Sequence, residues 1–469
     1  PEPSAPQGPT HTMNGLTQEI SRRPFRRIGA AVVLNLLALH AAAPSAVADP
    51  VATMRQYQFE PASSAYRLAL REVPQPAVGA RDVLVRVKAA SLNRRDLNIL
   101  QRDYDPEYTV AGGIPLSDGA GEVVAVGADV TRFQVGDRVA GSFFTRWIAG
   151  PPSAEALASD RGGNPGGMLS EFIVSHEDGL VTFPAHLSYE EAATLPCAAL
   201  TAWVGLFKRG RLQPGQFVLL EGTGGVSVFG LLFAAAAGAQ AIITSSSDDK
   251  LQRARELGAF GTVNYRSNPE WQQEVRALSD GHGVDQVLDV GGRETLGKAL
   301  EALAYGGHVA LIGGLSGYGS DLPTDALMWI NATASGVYVG SREDFEAMNA
   351  FISEHRIRPV IDRVFEFEKA QAAFDYMRGG GFFGKVVIRL PAGSASAPHP
   401  ADHRAGPVLR PRDPLEEDFL AAGHDRVGVG KTQQRGLVPL AQDLPGRAVG
   451  GRGRIVGRAR RRQRGLVGA

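Results

Sequence analysis

A glycine-rich turn carries the clearest chemical signal in the sequence. An apolar stretch at 216–221 precedes it and predicts a strand, and a stretch rich in Leu, Phe and Ala at 228–238 follows it and predicts a helix. Glycine lets the backbone bend sharply and approach a pyrophosphate, while the helix offers free N–H groups and the positive end of its dipole. The turn therefore predicts a dinucleotide site. We expect it to be formed by Gly222, Thr223, Gly224, Gly225 and Val226.

The tip of the second predicted strand, 241–244, indicates which dinucleotide binds. An acidic residue at this tip would hold the ribose hydroxyls of NAD, whereas hydroxyl groups followed by a lysine suit a 2′-phosphate. The strand ends in three serines, with Ser246 in the middle, and Lys250 follows. This pattern favours NADP(H) over NAD(H). Asp248 and Asp249 leave an alternative open, since they could cap the next helix or repel the phosphate.

Two later predicted strands, 283–292 and 307–315, also end in or near glycine. The carboxyl ends of the strands in a doubly wound sheet line the ligand crevice, so glycine there lets the backbone lie against a cofactor. On this basis we expect Gly313, Gly314 and Leu315 at the cofactor. Ordinary turns from strand to loop are the alternative.

These residues need a parallel sheet with helices on both faces to position them. The region after Ser188 has that rhythm of apolar strand, glycine turn and amphipathic helix. Before it, 83–89 and 121–126 alternate apolar and polar residues, as in a small all-β barrel. The expected fold class is α/β, with a β-barrel domain joined to a Rossmann-type doubly wound parallel sheet. The expected boundaries are 54–187 for the barrel, 188–345 for the nucleotide domain and 346–391 for a return to the barrel.

The first segment, 1–50, has the features of an export signal. Residues 21–27 are basic, 28–43 are apolar but too short to span a bilayer, and Ala46-Val47-Ala48 has the form of a cleavage site. An arginine pair resembles twin-arginine signals, which translocate folded proteins, so we expect a periplasmic location. The alternative is translation from Met54, which would leave the protein in the cytoplasm.

The last segment, 392–469, predicts a disordered tail because it mixes Pro, Gly, Ala and Arg with a single aromatic residue. Its arginine-rich end at 458–464 would suit nucleic acid, but a solvated or non-native tail is the favoured interpretation. Lys+Arg and Asp+Glu number 49 each, so no global field attracts nucleic acid or an anionic membrane, and neither is an expected partner. A single cysteine, Cys197, excludes an internal disulfide and a four-cysteine zinc lobe.

Three motifs in this order carry a resemblance to a known family. They are IPLSDGAGEV at 114–123, LTAW at 200–203 and GTGGV at 222–226. Together they resemble the medium-chain dehydrogenase/reductase superfamily, from Met54 to about Leu390. The match is closest to its zinc-independent branch of NAD(P)-dependent alcohol dehydrogenases and quinone oxidoreductase-like proteins. The resemblance implies a GroES-like catalytic domain, and we also expect a homodimer.

Zinc-dependent members of that superfamily hold the metal at places that correspond to Asn93, Ser117 and Cys197 here. Only Cys197 is a metal-ligand type, and a catalytic zinc needs about three protein ligands. No His-x-His or Cys-x-x-Cys spacing replaces the missing ligands. We therefore expect no metal. Cys197 is more consistent with a small core residue than with a nucleophile.

Without zinc, side chains must supply the proton and stabilise the charge. The resemblance implies Asn93, Asp96 and Tyr104, with Tyr104 donating to a developing oxyanion, Asn93 hydrogen-bonding it and Asp96 orienting the loop. The alternatives are that Asp96 only caps a helix and that Tyr104 only packs. The resemblance also implies further cofactor contacts, with Thr201 near the nicotinamide and with Ser246, Lys250 and Tyr265 near the 2′-phosphate. Val339 belongs to the same expected cofactor set.

The function expected from these residues is hydride transfer between NADP(H) and a small molecule. The acceptor would be a quinone, an enone or an aldehyde, or the reverse reaction would oxidise an alcohol. A metal-free alcohol dehydrogenase is one alternative. A non-catalytic NADPH-binding or redox-sensing protein is another, since a fold does not determine activity.

Overall fold

The computed structural model describes residues 52–103, 111–163, 166–319 and 324–392. The predicted export signal, nearly all of the predicted tail and Tyr104 lie outside these ranges, so those expectations stay predictions. Among the described residues, no helix combines the length and apolarity needed to cross a membrane.

The described residues form fifteen strands. They are β1 Thr53–Pro61, β2 Tyr66–Pro74, β3 Asp82–Ser91, β4 Asp118–Val126, β5 Arg138–Gly141, β6 Phe172–His176, β7 Leu180–Thr182, β8 Phe217–Leu220, β9 Gln240–Ser245, β10 Gly261–Asn264, β11 Val284–Asp289, β12 Leu303–Leu311, β13 Thr333–Gly336, β14 Ile361–Glu366 and β15 Lys385–Arg389.

Eleven α-helices occur in the same part of the chain. They are α1 Arg94–Gln101, α2 Ala154–Leu157, α3 Tyr189–Ala192, α4 Leu200–Trp203, α5 Gly225–Ala236, α6 Asp248–Glu256, α7 Trp271–Leu278, α8 Leu296–Ala302, α9 Thr324–Trp329, α10 Arg342–Glu354 and α11 Ala370–Arg378. Turns of π-helix, Leu195–Ala199 and Val204–Arg209, flank α4, and Glu177–Gly179 and Phe367–Lys369 are short 3₁₀ turns.

The catalytic sheet has the order β14-β15-β3-β4-β5-β7, with β6 paired to β3 and the hairpin β1-β2 beside it. Its central strand, β3, is the alternating apolar segment of the sequence. β3 is antiparallel to β4, β6 and β15, so it has neighbours along both edges, and seven of its ten residues are buried. This arrangement confirms the expected GroES-like β domain.

The nucleotide sheet has the order β10-β9-β8-β11-β12-β13, and every pair in it is parallel. β8 and β11 are neighbours although two strands separate them in the sequence. The strand order therefore reverses between them, which is where ligands bind in doubly wound sheets. The expected α/β fold class is confirmed.

The two sheets are joined by the last part of the chain. After β13, the chain returns through α10 to β14 and β15, and β15 pairs with β3 of the catalytic sheet. Just before β15, Gly384 forms a parallel bridge with Gly224 of the glycine turn. The end of the catalytic sheet therefore lies against the start of α5.

Candidate active site

The glycine turn forms an open cradle at the end of β8. Gly222 has a φ of +74°, a conformation that side-chain-bearing residues rarely adopt. Gly224 is the N-cap of α5. A Cβ atom built on either glycine would meet no other atom within 4 Å. Free N–H groups of α5 thus face open space at the switch point, which fits a pyrophosphate.

Helix α5 begins earlier than the sequence predicted, at Gly225 instead of Val228. A Cβ on Gly225 would lie 2.8 Å from Lys385 Cδ and 3.0 Å from Ala198 Cβ. Gly225 therefore allows a close approach of two chain segments, and it does so inside the first helical turn.

Two buried carboxyl groups, Glu221 and Asp289, lie directly behind the turn at the ends of β8 and β11. Both accept from the N–H of Gly291 at 3.1 Å, and both accept from the hydroxyl of Thr295. Burial and then the charge of Asp289 raise the pKa of Glu221 well above its usual range. The hydrogen bonds to Gly291 and Thr295 join the two strand ends.

The tip of β9 has the polar composition that the sequence indicated. Ser247 is the N-cap of α6 and accepts from the backbone N–H of Lys250, while Asp248 and Asp249 lie exposed in the first helical turn. Asp248 accepts a hydrogen bond from Asn264 at 2.7 Å. The Lys250 ammonium donates to the carbonyl of Gly380 at 2.8 Å, and burial lowers its pKa.

The other expected cofactor residues lie at strand ends or on the helices beside them. Tyr265 directly follows β10, and its side chain is 43% exposed. Gly313, Gly314 and Leu315 follow β12 at the crevice edge of the sheet, and Thr201 is buried in α4. Val339 has a φ of +57°, which is rare for a β-branched residue and costs about 1–3 kcal/mol.

The catalytic loop between β3 and α1 is held by a reciprocal cap. Asp96 accepts from the backbone N–H of Asn93 at 2.6 Å, and the Asn93 side chain accepts from the backbone of Asp96. Asp96 therefore caps the helix, and by doing so it also orients the loop. Burial raises the pKa of Asp96 to about 7, although the positive charge of Arg95 opposes this rise.

A buried polar cluster surrounds Asn93, Ser117 and Cys197, the positions that the resemblance makes equivalent to zinc ligands. Asp118, at the start of β4, accepts from the Ser117 hydroxyl at 2.8 Å and from the Cys197 N–H at 3.2 Å. The Lys385 ammonium lies 3.8 Å from Asp118 and donates to Asn93 Oδ1 at 2.6 Å. Burial raises the pKa of Asp118, and the charge of Lys385 opposes this.

These donors do not fit a catalytic zinc. Zinc requires deprotonated thiolate, neutral imidazole or carboxylate ligands, about three of them in a catalytic site. Burial and then the charge of Asp118 raise the pKa of the half-buried Cys197 thiol, and an ammonium already lies among the remaining groups. In the described ranges, no group of three or more His, Cys, Asp and Glu side chains is arranged to bind a metal.

An aromatic wall borders the catalytic loop. Phe144 packs edge-on against Phe143 and Tyr338, with ring centroids 4.8 and 5.1 Å apart, and Trp147 extends the cluster. The Arg95 guanidinium lies 4.6 Å from the Phe143 ring centroid and forms a buried ion pair with Asp160. The wall is thereby attached to α1, next to Asn93.

Sequence reasoning did not single out Lys385, Asp118 or the Glu221–Asp289 pair. Asp118 lay inside the 114–123 motif without an assigned role, and the usable signal was a charged residue at one end of a largely apolar strand. Such residues are seldom buried unless they are paired. Their partners, however, come from distant parts of the chain and only the fold identifies them.

Comparisons with known proteins agree with this geometry. Residues 79–185 match the alcohol dehydrogenase GroES-like domain, and residues 225–354 match the zinc-binding dehydrogenase model. A zinc-type alcohol dehydrogenase-like protein of Schizosaccharomyces pombe is 42% identical over 325 residues, covering 68% of this chain and 93% of that protein. The chain belongs to the medium-chain dehydrogenase/reductase family. The words zinc-binding belong to the name of the family and assign no metal to this chain.

Some other members of the medium-chain dehydrogenase/reductase family are named alcohol dehydrogenase, and others are named quinone oxidoreductase. A quinone oxidoreductase of Pseudomonas aeruginosa is 30% identical, with 71% of this chain and 99% of that protein covered. A solved NAD-dependent alcohol dehydrogenase is 31% identical, with a TM-score of 0.65, 72% of this chain covered and all of the other. The chain is thus an alcohol dehydrogenase-like or quinone oxidoreductase-like member of the family.

Proposed function

We propose that this protein is a zinc-independent oxidoreductase that transfers a hydride between NADP(H) and a small carbonyl, quinone or alcohol substrate. The observation that carries the proposal is the open glycine cradle at Gly222–Gly225, which lies beside the buried ammonium of Lys385 and carboxyl group of Asp118. When bound, the dinucleotide supplies or accepts the hydride.

The cradle binds and orients the cofactor. The free N–H groups at the start of α5 receive the pyrophosphate, and the carboxyl ends of β8 and β11 receive the rest of the dinucleotide. Glu221 and Asp289 both accept from the N–H of Gly291, which links these two strand ends and keeps the crevice preformed. Preformed geometry lowers the entropic cost of bringing hydride donor and acceptor together.

The preference for NADP(H) rests on the tip of β9. Ser246 and Lys250 offer a hydroxyl group and an ammonium to a 2′-phosphate, and Tyr265 lies at the next strand end. Asp248 is already engaged by Asn264, which lessens its repulsion of a phosphate. One related structure is named NAD-dependent. The affinity for both cofactors is therefore measured.

Of the aromatic wall, Tyr338 is the ring with substantial exposure, 45%, and it favours an apolar substrate. Asn93, the N-cap of α1, accepts a hydrogen bond from the buried ammonium, and its role in the proposal is to hydrogen-bond the substrate oxygen. Tyr104, which lies outside the described residues, stays a predicted proton donor. Relatives named quinone oxidoreductase and alcohol dehydrogenase make quinones, enones, aldehydes and alcohols the classes to test.

A panel assay tests the proposal. We expect NADPH oxidation with at least one quinone, enone or aldehyde, or NADP⁺ reduction with an alcohol, at rates unchanged by a zinc chelator. Tight NADPH binding without turnover would instead support a non-catalytic binding protein. Loss of turnover after chelation, with recovery on adding zinc, would contradict the metal-free mechanism.

A further inference from the structure

Lys385 is a buried cation, and lysine is rarely buried in proteins. Its side chain is only 3% exposed, and its ammonium donates to the carbonyl of Leu92 at 2.7 Å and to Asn93 Oδ1 at 2.6 Å. A buried ammonium is costly unless it is paired and hydrogen-bonded, and Asp118 provides the opposite charge at 3.8 Å. The chain therefore maintains an ion pair where an apolar pair would be easier to bury.

The sheet order explains why these groups meet. β3 lies between β15 and β4, and Ser91 at its end pairs with Val387 on one side and Asp118 on the other. The loop that follows Ser91 carries Asn93. Lys385 and Asp118 consequently flank this loop from the first residues of their strands.

The stem of Lys385 also contacts the cofactor turn. A Cβ on Gly225 would lie 2.8 Å from Lys385 Cδ, and the preceding residue, Gly384, donates its N–H to the carbonyl of Thr223 at 3.0 Å. One side chain thus extends from the cradle to the catalytic loop. A shift of either segment would be transmitted to the other through Lys385.

Lys385 also determines how the Asn93 amide is oriented. Asn93 Oδ1 faces two donors, the Lys385 ammonium and the backbone N–H of Asp96, so the amide oxygen must lie on that side. Asn93 Nδ2 then lies on the other side, buried and facing Asp118, whose pKa its hydrogen bond lowers, but without a partner at normal hydrogen-bond geometry among the described residues. An amide nitrogen carries two N–H groups, so Asp118 leaves at least one of them available to another acceptor.

We propose that Lys385 is the positioning residue of this site, taking the place of the catalytic metal. Its ammonium fixes the Asn93 amide with Nδ2 available to the substrate oxygen, balances Asp118 and excludes a divalent cation. This inference rests on the proposed hydride transfer, because Asn93 acts on the substrate and Lys385 acts through Asn93. Lys385 is therefore distinct from a residue that only stabilises the fold.

A charge-balanced pair of substitutions separates these two roles. Lys385→Met keeps most of the stem and removes the charge, Asp118→Asn removes the partner charge, and the double variant leaves no unpaired charge. We expect each single variant to be less stable than wild type and the double variant to recover most of the loss in urea denaturation. The double variant should nevertheless turn over about 30- to 100-fold more slowly, with its NADPH Kd within about threefold of wild type.

Lys208→Met is the matched control, because it breaks another lysine–aspartate pair, to Asp344, away from the cradle. Its kcat should stay within about twofold of wild type. A double variant that regains both stability and wild-type kcat would show that Lys385 is only structural and would overturn the proposal. Wild-type kcat in Lys385→Met would do the same.

A metal measurement distinguishes failure of this inference from failure of the proposed function. Wild-type protein is incubated with zinc sulfate, desalted and analysed by mass spectrometry for metal content. We expect less than about 0.1 equivalent of zinc per chain, since too few ligands are present. One equivalent would overturn the assignment of the ammonium to the metal position, whether or not turnover is found. If the wild-type protein neither turns over nor binds zinc, the proposed hydride transfer is refuted, and so is the positioning role of Lys385. The assignment of the ammonium to the metal position would still stand.

Discussion

Gly384 donates its backbone N–H to the carbonyl oxygen of Thr223 over 3.0 Å. This bond joins the strand that completes the catalytic sheet to the turn that receives the cofactor. Any change in the conformation of the turn must therefore be matched by the start of β15. The cradle and the catalytic loop therefore form one connected unit.

Gly224→Ala should weaken cofactor binding without unfolding the protein. Gly224 has a φ of −79°, which alanine adopts, and the added Cβ would meet no protein atom within 4 Å, so Tm should change by no more than about 2 °C. The methyl group would occupy the space of the pyrophosphate and raise the NADPH Kd at least about tenfold. Gly297→Ala, exposed in α8 and equally unobstructed, is the control and should leave the Kd unchanged. Unchanged NADPH affinity in Gly224→Ala would place the cofactor elsewhere.

Lys250→Ala should discriminate between the two cofactors. Loss of the ammonium would raise the NADPH Kd about tenfold and change the NADH Kd by less than about twofold, because only NADPH carries the 2′-phosphate. Fluorescence titration with both cofactors measures this. The control is Lys298→Ala, which removes a lysine of α8 that is paired with Glu270. This variant should change neither Kd. Equal weakening for both cofactors would mean that Lys250 does not contact the phosphate.

Asp96→Asn should make stability less dependent on pH. Folding raises the pKa of Asp96 from its ordinary 3.8 to about 7, so between these values the folded state binds more protons than the unfolded state. The free energy of unfolding then falls as pH rises, by up to about 1.4 kcal/mol per pH unit from this group. Asparagine still accepts from the Asn93 N–H but does not titrate. Urea denaturation at several pH values between about 5 and 7 should show a flatter curve for the variant, and parallel curves would contradict the prediction.

Tyr338→Ala should change substrate binding more than chemistry. Tyr338 packs on Phe143 and Phe144 but is 45% exposed, so it presents part of its ring to the solvent side of the aromatic wall. We expect KM for an aromatic substrate to rise about tenfold, with kcat within about threefold. Tyr305→Ala, whose ring is 81% exposed on β12, serves as the comparison and should leave both constants unchanged. If kcat falls and KM does not, Tyr338 acts on the reacting atoms.

The sequence was sufficient for the features that depend on neighbouring residues. The strand, glycine turn and helix around Gly224 are found in the predicted order, because turn chemistry and hydrophobic periodicity are local. Asp96 shows where local reasoning becomes incomplete, since the cap was foreseen but the raised pKa depends on burial by distant segments. The hydrogen bond of Lys385 to the Leu92 carbonyl joins residues 293 positions apart and could not be predicted from either segment alone.

The position of β15 has a consequence for biosynthesis. β15 lies between β14 and β3, so the catalytic sheet lacks an interior strand until the ribosome has passed the whole nucleotide domain. Since domains fold as units while the chain emerges, the parallel sheet with its glycine cradle can form first. Lys385 is then among the last residues to reach its partners. The pairing of β15 with β3 therefore also brings the Lys385 ammonium to Asn93. We expect that a nascent chain can bind a nucleotide before its catalytic loop is in place.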